Sequence, residues 1–151
     1  MRDVRPFAAV VFMWVLASGC GQSTSPSMSP NLNGTWTGML GEPRSGSSLR
    51  VTWAATQSGG TVAGPATVVK PSTNVPANGT LNGTLSGSQL ALTYSVPAGA
   101  VPVYLSCAVT GSGTATATDR TISGTLQTTF TSCLGSGLET PESPQLNLTK
   151  Q

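Results

Sequence analysis

The stretch Asn78–Val96, "NGTLNGTLSGSQLALTYSV", decides the fold. Leu81, Gly83 and Leu85 alternate with polar residues, and Ser86-Gly87-Ser88 supplies turn chemistry. Leu90, Leu92, Tyr94 and Val96 then alternate again. A period of two on both arms sends one set of side chains to a dry face and the other to water, the pattern of an antiparallel hairpin.

The same period runs outward from this hairpin. In Gly34–Leu40, Trp36, Gly38 and Leu40 share a face and Thr35 and Thr37 share the other. Leu49, Val51, Trp53 and Ala55 lie opposite Arg50, Thr52 and Thr56. Ser58-Gly59-Gly60 reads as a turn, and Thr61–Val69 resumes the extended pattern, with Pro65 predicting a bulge or an edge position. Val103, Leu105, Cys107 and Val109 form a further face; Thr118-Asp119-Arg120 turns; Ile122, Gly124, Leu126, Thr128 and Phe130 follow, and Leu146 and Leu148 end the chain as a short strand. No helical stripe of period 3.6 occurs in this part of the sequence.

Gly-Thr-hydrophobe recurs at Gly34, Gly79, Gly83 and Gly124, which reads as a strand bent at Gly, with Thr toward solvent and the apolar residue inward. The spacing is too irregular for a solenoid. Residues 31–151 are therefore expected to form an all-β domain, a small antiparallel up-and-down barrel of about eight strands, with a β-sandwich as the alternative. Four Asn-x-Thr triplets read as bends and strand residues rather than glycosylation sites.

Composition agrees. Of the 151 residues only 8% are charged, about a third of the usual fraction, and the net charge is +2. No basic stripe points to nucleic acid and no acidic tail is present. Low charge together with strand periodicity argues against disorder, which normally couples low hydrophobicity to high charge.

The N-terminus is organised differently. Arg2 and Arg5 precede an apolar run of ten, Phe7–Leu16, which small residues close at Ala17-Ser18-Gly19-Cys20. That layout is a secretory signal, too short for a permanent membrane span. The apolar run by itself also fits an ordinary signal peptide with a chance cysteine, or a buried core helix. Leu16-Ala17-Ser18-Gly19-Cys20 resembles a bacterial lipobox, with Ala17 where the usual Leu would stand. The resemblance implies cleavage after residue 19, a diacylglyceryl thioether on Cys20 and acylation of its new amine, with palmitate-like chains holding the protein to a membrane. Gly21 stands where an Asp would retain a Gram-negative lipoprotein in the inner membrane, which implies the outer membrane. The reading thus divides the chain into a signal peptide (1–19), a lipidated cysteine with a flexible Ser/Pro tether (20–30) and a barrel domain (31–151).

With Cys20 committed to lipid, Cys107 and Cys133 remain as an even pair in an oxidising compartment, and a disulfide between them is expected. Closing some 27 residues would contribute roughly 3.5 kcal/mol through lost chain entropy in the unfolded state. The alternatives are two free thiols or two metal ligands, and a metal would need further ligands in a chain without histidine.

Asn31–Gly41, "NLNGTWTGMLG", resembles the opening strand of avidin-like and lipocalin-like barrels, in which Gly-x-Trp closes the barrel floor. The resemblance implies an up-and-down barrel. It does not carry biotin binding, because Gly38 and Glu42 stand where avidins place a ligand-binding Asn and Ser, and Trp36 and Trp53 are too few for an aromatic cage. The mature chain also looks like small bacterial lipoproteins that begin with Gly-Thr-Trp, a resemblance implying an address and a barrel but no activity.

Several chemistries lose their usual residues. Without histidine the commonest general base and metal ligand is missing, and no nucleophile elbow or phosphate-binding glycine loop occurs. Asp119 beside Arg120 reads as solvated or weakly paired, Glu139 and Glu142 flank Pro141, and Lys70 precedes Pro71 on a turn. No enzyme activity, cofactor or metal is expected. Two longer loops, Lys70–Ala77 and Pro97–Pro102, read as connectors, the second with an apolar rim. Trp36, Trp53, Tyr94 and Phe130 are candidates to line a ligand cavity or simply to fill the barrel. The sequence therefore leads to a non-catalytic, membrane-anchored envelope protein with a structural or protein-interaction role. The alternatives are a lipocalin-like binder of a small apolar ligand and an envelope peptidase inhibitor acting through Pro97–Pro102. Expected partners are the membrane, an envelope protein or a small apolar ligand, and no nucleic acid.

Overall fold

A computed structural model describes residues 29–41, 48–72, 74–97, 108–131 and 143–151. The expected signal peptide, Cys20, the expected tether up to residue 28, Glu42, residues 98–102 of the Pro97–Pro102 loop, Val103, Leu105, Cys107, Cys133, Glu139 and Glu142 lie outside the described residues.

Eight strands follow one another: β1 (Gly34–Gly41), β2 (Ser48–Ser58), β3 (Thr61–Val69), β4 (Pro76–Ser86), β5 (Gln89–Val96), β6 (Ala108–Ala117), β7 (Thr121–Thr131) and β8 (Gln145–Lys150). Each pairs antiparallel with the next, and β8 returns to β1 through Trp36↔Lys150 to Leu40↔Leu146, closing the barrel. Closure removes the open edges that a sandwich would keep. The fold is the expected up-and-down barrel.

Alternation places Trp36 and Leu40, Val51 and Trp53, Leu81 and Leu85, Leu90, Leu92, Tyr94 and Val96, Ile122 and Leu126, and Leu146 and Leu148 inside. The hairpin turns are as tight as the sequence implied. Gly59 (φ 58°) and Gly87 (φ 59°) each hold the first position of a two-residue loop, where a positive φ suits the twist of the flanking strands. Between β6 and β7 the Thr118 hydroxyl accepts the N–H groups of Arg120 and Thr121, fixing the Asp119-Arg120 bend.

Pro65 departs from the expectation of a bulge or an edge. The β2–β3 register runs unshifted from Arg50↔Val69 to Ser58↔Thr61, so no residue is inserted, and a closed barrel offers no edge. The β2–β3 ladder instead lapses locally where Ala54 and Ala55 pass Gly64 and Pro65, while Pro65 stays paired with Thr80 of β4. Proline has no N–H to give to a second neighbour, and a short gap between two paired segments accommodates that.

Large and small residues interlock across strands. Tyr94 of β5 faces Gly111 of β6, and Leu92 faces Gly83 and Gly113. A Cβ on Gly111 would lie 1.9 Å from the Tyr94 ring, so the missing side chain is the space the ring fills. Two glycines of the Gly-Thr-hydrophobe triplets, Gly79 and Gly83, likewise lie under bulky residues of the next strand, Val96 for the first and Leu90 and Leu92 for the second. At the β1–β8 seam a Cβ on Gly38 would sit 1.9 Å from the Asn147 carbonyl oxygen, whereas one on Gly41 would meet only an ordinary contact at 3.9 Å. Gly38→Val is expected to destabilise the barrel by about 3 kcal/mol. Gly41→Ala should stay within about 0.5 kcal/mol. Urea denaturation of the two variants measures both.

Candidate functional site

Trp36 and Trp53 are fully buried and Tyr94 is 9% exposed, all pointing inward as candidate cavity residues should. Phe130 lies in β7 opposite Val109, and its side chain is outside the described set. A space of about 20 Å³ lies beside Tyr94, bounded by Leu40, Val51, Val68, Leu81 and Leu126. That is room for roughly one water, far below the several hundred Å³ of a small-molecule pocket.

Two polar features interrupt this apolar interior. The Tyr94 hydroxyl hydrogen-bonds the Thr128 hydroxyl, and Thr128 is the buried polar side chain among the described residues. Thr128 shares the inward face with Ile122 and Leu126, so its position is readable from the strand period, but its partner, 34 residues away, is not. Trp53 Nε1 is buried and has no hydrogen-bond partner among the described residues. It lies 3.3 Å from the place of a Gly64 Cβ, beside the lapse in the β2–β3 ladder.

The end of the barrel at which the chain enters is sealed by residues 29–33, hereafter the floor strap. Pro30 and Leu32 are buried beneath the barrel. Leu32 gives its N–H to Gln57 Oε1 (2.6 Å), and its carbonyl accepts Trp36 Nε1 (2.8 Å). The Asn33 side-chain oxygen accepts the Gln57 N–H (2.7 Å). Asn31 gives its N–H to Asp119 Oδ1 (2.7 Å), while its carbonyl accepts Lys150 Nζ (2.8 Å). Lys150 also sits 5.5 Å from the centre of the Trp36 ring, within cation–π range. Asp119, read from sequence as solvated or loosely paired, is instead a fixed acceptor for the strap. Nothing in the local sequence signals this, because donor and acceptor are 88 residues apart.

The outer wall is built from hydroxyls and amides. Asn78, Thr80, Asn82 and Thr84 on β4, Thr110, Ser112, Thr114 and Thr116 on β6, and Ser123, Thr125 and Gln127 on β7 all face solvent. Arg50 and Lys150 are the charged residues of the eight strands. Cross-strand pairs link this wall: Ser123 Oγ donates to Asn147 Oδ1 (2.8 Å) and Gln145 Nε2 to Thr125 Oγ1 (2.8 Å). A shallow, open depression lies over β3–β6 between Thr61, Asn82, Thr84, Thr93 and Thr114, with no charged residue in its lining.

No protein-family model, curated protein sequence or solved structure matches the chain. The barrel is defined by its own ladder of strand pairs.

Removing one member of the buried hydroxyl pair should cost more than removing both. Tyr94→Phe leaves the Thr128 hydroxyl without the phenol and is expected to lower stability by about 1–2 kcal/mol, whereas adding Thr128→Val should restore a good part of that loss. Thermal or urea unfolding of the two single variants and the double variant measures the coupling.

Proposed function

We propose that the chain is a lipid-anchored envelope protein, held to the outer membrane through Cys20, whose barrel serves a non-catalytic structural or protein-interaction role. The observation that carries the non-carrier part of this reading is the filled interior. Leu, Val, Trp and Tyr side chains of the described residues are buried inside the barrel, and the space beside Tyr94 holds about 20 Å³, too little for an apolar ligand to enter there without displacing packed residues. The same observation weighs against a lipocalin-like carrier.

The polarity of the barrel supports an anchor outside the strands themselves. A barrel that spans a bilayer turns an apolar band toward lipid and often a polar surface toward its lumen. Here Leu and Trp face inward and Thr, Ser, Asn and Gln face outward, the arrangement of a barrel surrounded by water. Membrane attachment then falls to the segment before the floor strap, where Ala17-Ser18-Gly19-Cys20 resembles a lipobox. Acyl chains contribute about 0.8 kcal/mol per buried methylene, and two or more make attachment stable.

The proposed Cys107–Cys133 bond is supported by register. Ala108 and Thr131 pair at the ends of β6 and β7, which brings the chain to within a residue of Cys107 and two of Cys133. A disulfide there would clasp the end of the barrel opposite the floor strap.

The expected intact mass of the exported protein carries a lipid increment on Cys20 and a deficit of two hydrogens from the disulfide. Cys20→Ser should move the protein from the membrane to the soluble fraction of the envelope. An unmodified mass at residue 20, with the wild type already soluble, would overturn the anchor.

A further inference from the structure

The geometry points to a fixed orientation: the floor of the barrel faces the bilayer, and the end bearing the four longer strand connections is held away from it. This rests on the proposed anchor at Cys20, and its argument begins with the floor strap. Residues 29–33 are stitched to points around the rim, Trp36 on β1, Gln57 on β2, Asp119 in the β6–β7 bend and Lys150 on β8. The described chain therefore begins at the floor, at Ser29. The floor also carries the three short connections at 59–60, 87–88 and 118–120, because alternate connections of an up-and-down barrel share an end. The connections 42–47, 70–75, 97–107 and 132–144 all join strands at the opposite end.

Lengths decide how firmly this holds. From Cys20 to Ser29 there are nine residue steps, at most about 30 Å of chain. A flexible chain of nine residue steps has a root-mean-square span of roughly 17 Å. The longest strands have 11 residues, and at about 3.3 Å per residue and a tilt near 40° the barrel stands roughly 28 Å tall. Turning the far end onto the bilayer would require an almost fully stretched tether running the whole height of the wall. Any shorter span between Cys20 and Ser29 keeps the floor down.

Energy-transfer measurements test this with dyes at two exposed turn residues, Ser88 at the floor and Ser72 at the far end. Ser88→azidophenylalanine and Ser72→azidophenylalanine, each coupled to a donor dye, are compared on vesicles containing an acceptor-labelled lipid. One arm uses the full chain as exported and acylated by its host. The other uses residues 21–151, which contain the whole closed barrel, held by an N-terminal hexahistidine to nickel-chelating lipid. Transfer from position 88 is expected to exceed that from position 72 by roughly twofold or more in both arms. Equal transfer, or more from position 72, in the hexahistidine arm overturns the orientation whatever happens at Cys20. Failure of the exported chain to join vesicles, with the floor down in the hexahistidine arm, removes the lipid anchor and leaves the orientation standing.

Discussion

A cylinder of eight strands has too little interior for a large side chain at every inward position, and that limit organises this molecule. The sheet answers it by setting small inward residues beside large ones on neighbouring strands. β5 turns Leu90, Leu92, Tyr94 and Val96 inward, four large residues in succession. On one side β6 answers with Gly111, Gly113 and Ala115, and on the other β4 alternates Gly79 and Gly83 with Leu81 and Leu85. Tyr94 over Gly111 is the tightest expression of the rule, since a single added carbon would collide with the ring. A ring over glycine also shields a backbone that would otherwise be left bare, so β6, poor in bulk, draws its inward packing from β5.

This division of volume explains what the sequence discloses and what it withholds. Alternation from Asn78 to Val96 is a local property, because each residue's face follows from its neighbour's, and so the hairpin, its Gly87 turn and most strands are legible. Trp36 is legible as a floor residue through the Gly-x-Trp resemblance, and the structure places it there, fully buried. The floor strap is not legible. Its contacts join Asn31 to Asp119 and Lys150, 88 and 119 residues away, and nothing in "NLN" separates a strap from a loop. Pro65 misleads for a related reason. A proline in a strand signals one missing donor, but whether the chain answers with a bulge, an edge or a local gap depends on what lies beside it. Tyr94 and Thr128 are each readable as inward residues, yet their partnership follows from the coiling of the closed sheet.

The wall shows a second economy. A protein with so few charges needs another source of solubility, and hydroxyls and amides supply it on nearly every outward position of β4, β6 and β7. Closure allows this. An open sheet with uncharged edges would present unpaired backbone groups to other chains, whereas a barrel pairs every strand on both sides and needs no charged edge residues to discourage association. Threonine serves the wall twice, since its branched Cβ suits an extended backbone and its hydroxyl pairs across strands or with water.

The floor strap joins these two economies. Without it the floor would expose the Trp36 indole and the apolar ends of the inward stripes. Leu32 covers them, and burial of a leucine is worth about 2 kcal/mol. Its hydrogen bonds meanwhile satisfy the indole N–H and the strap's own backbone. Together with the Asn31 bonds to Asp119 and Lys150, they tie the strap to β1, β2, β8 and the β6–β7 bend. A hydrophobic plug and a hydrogen-bonded brace across the floor are thus the same five residues.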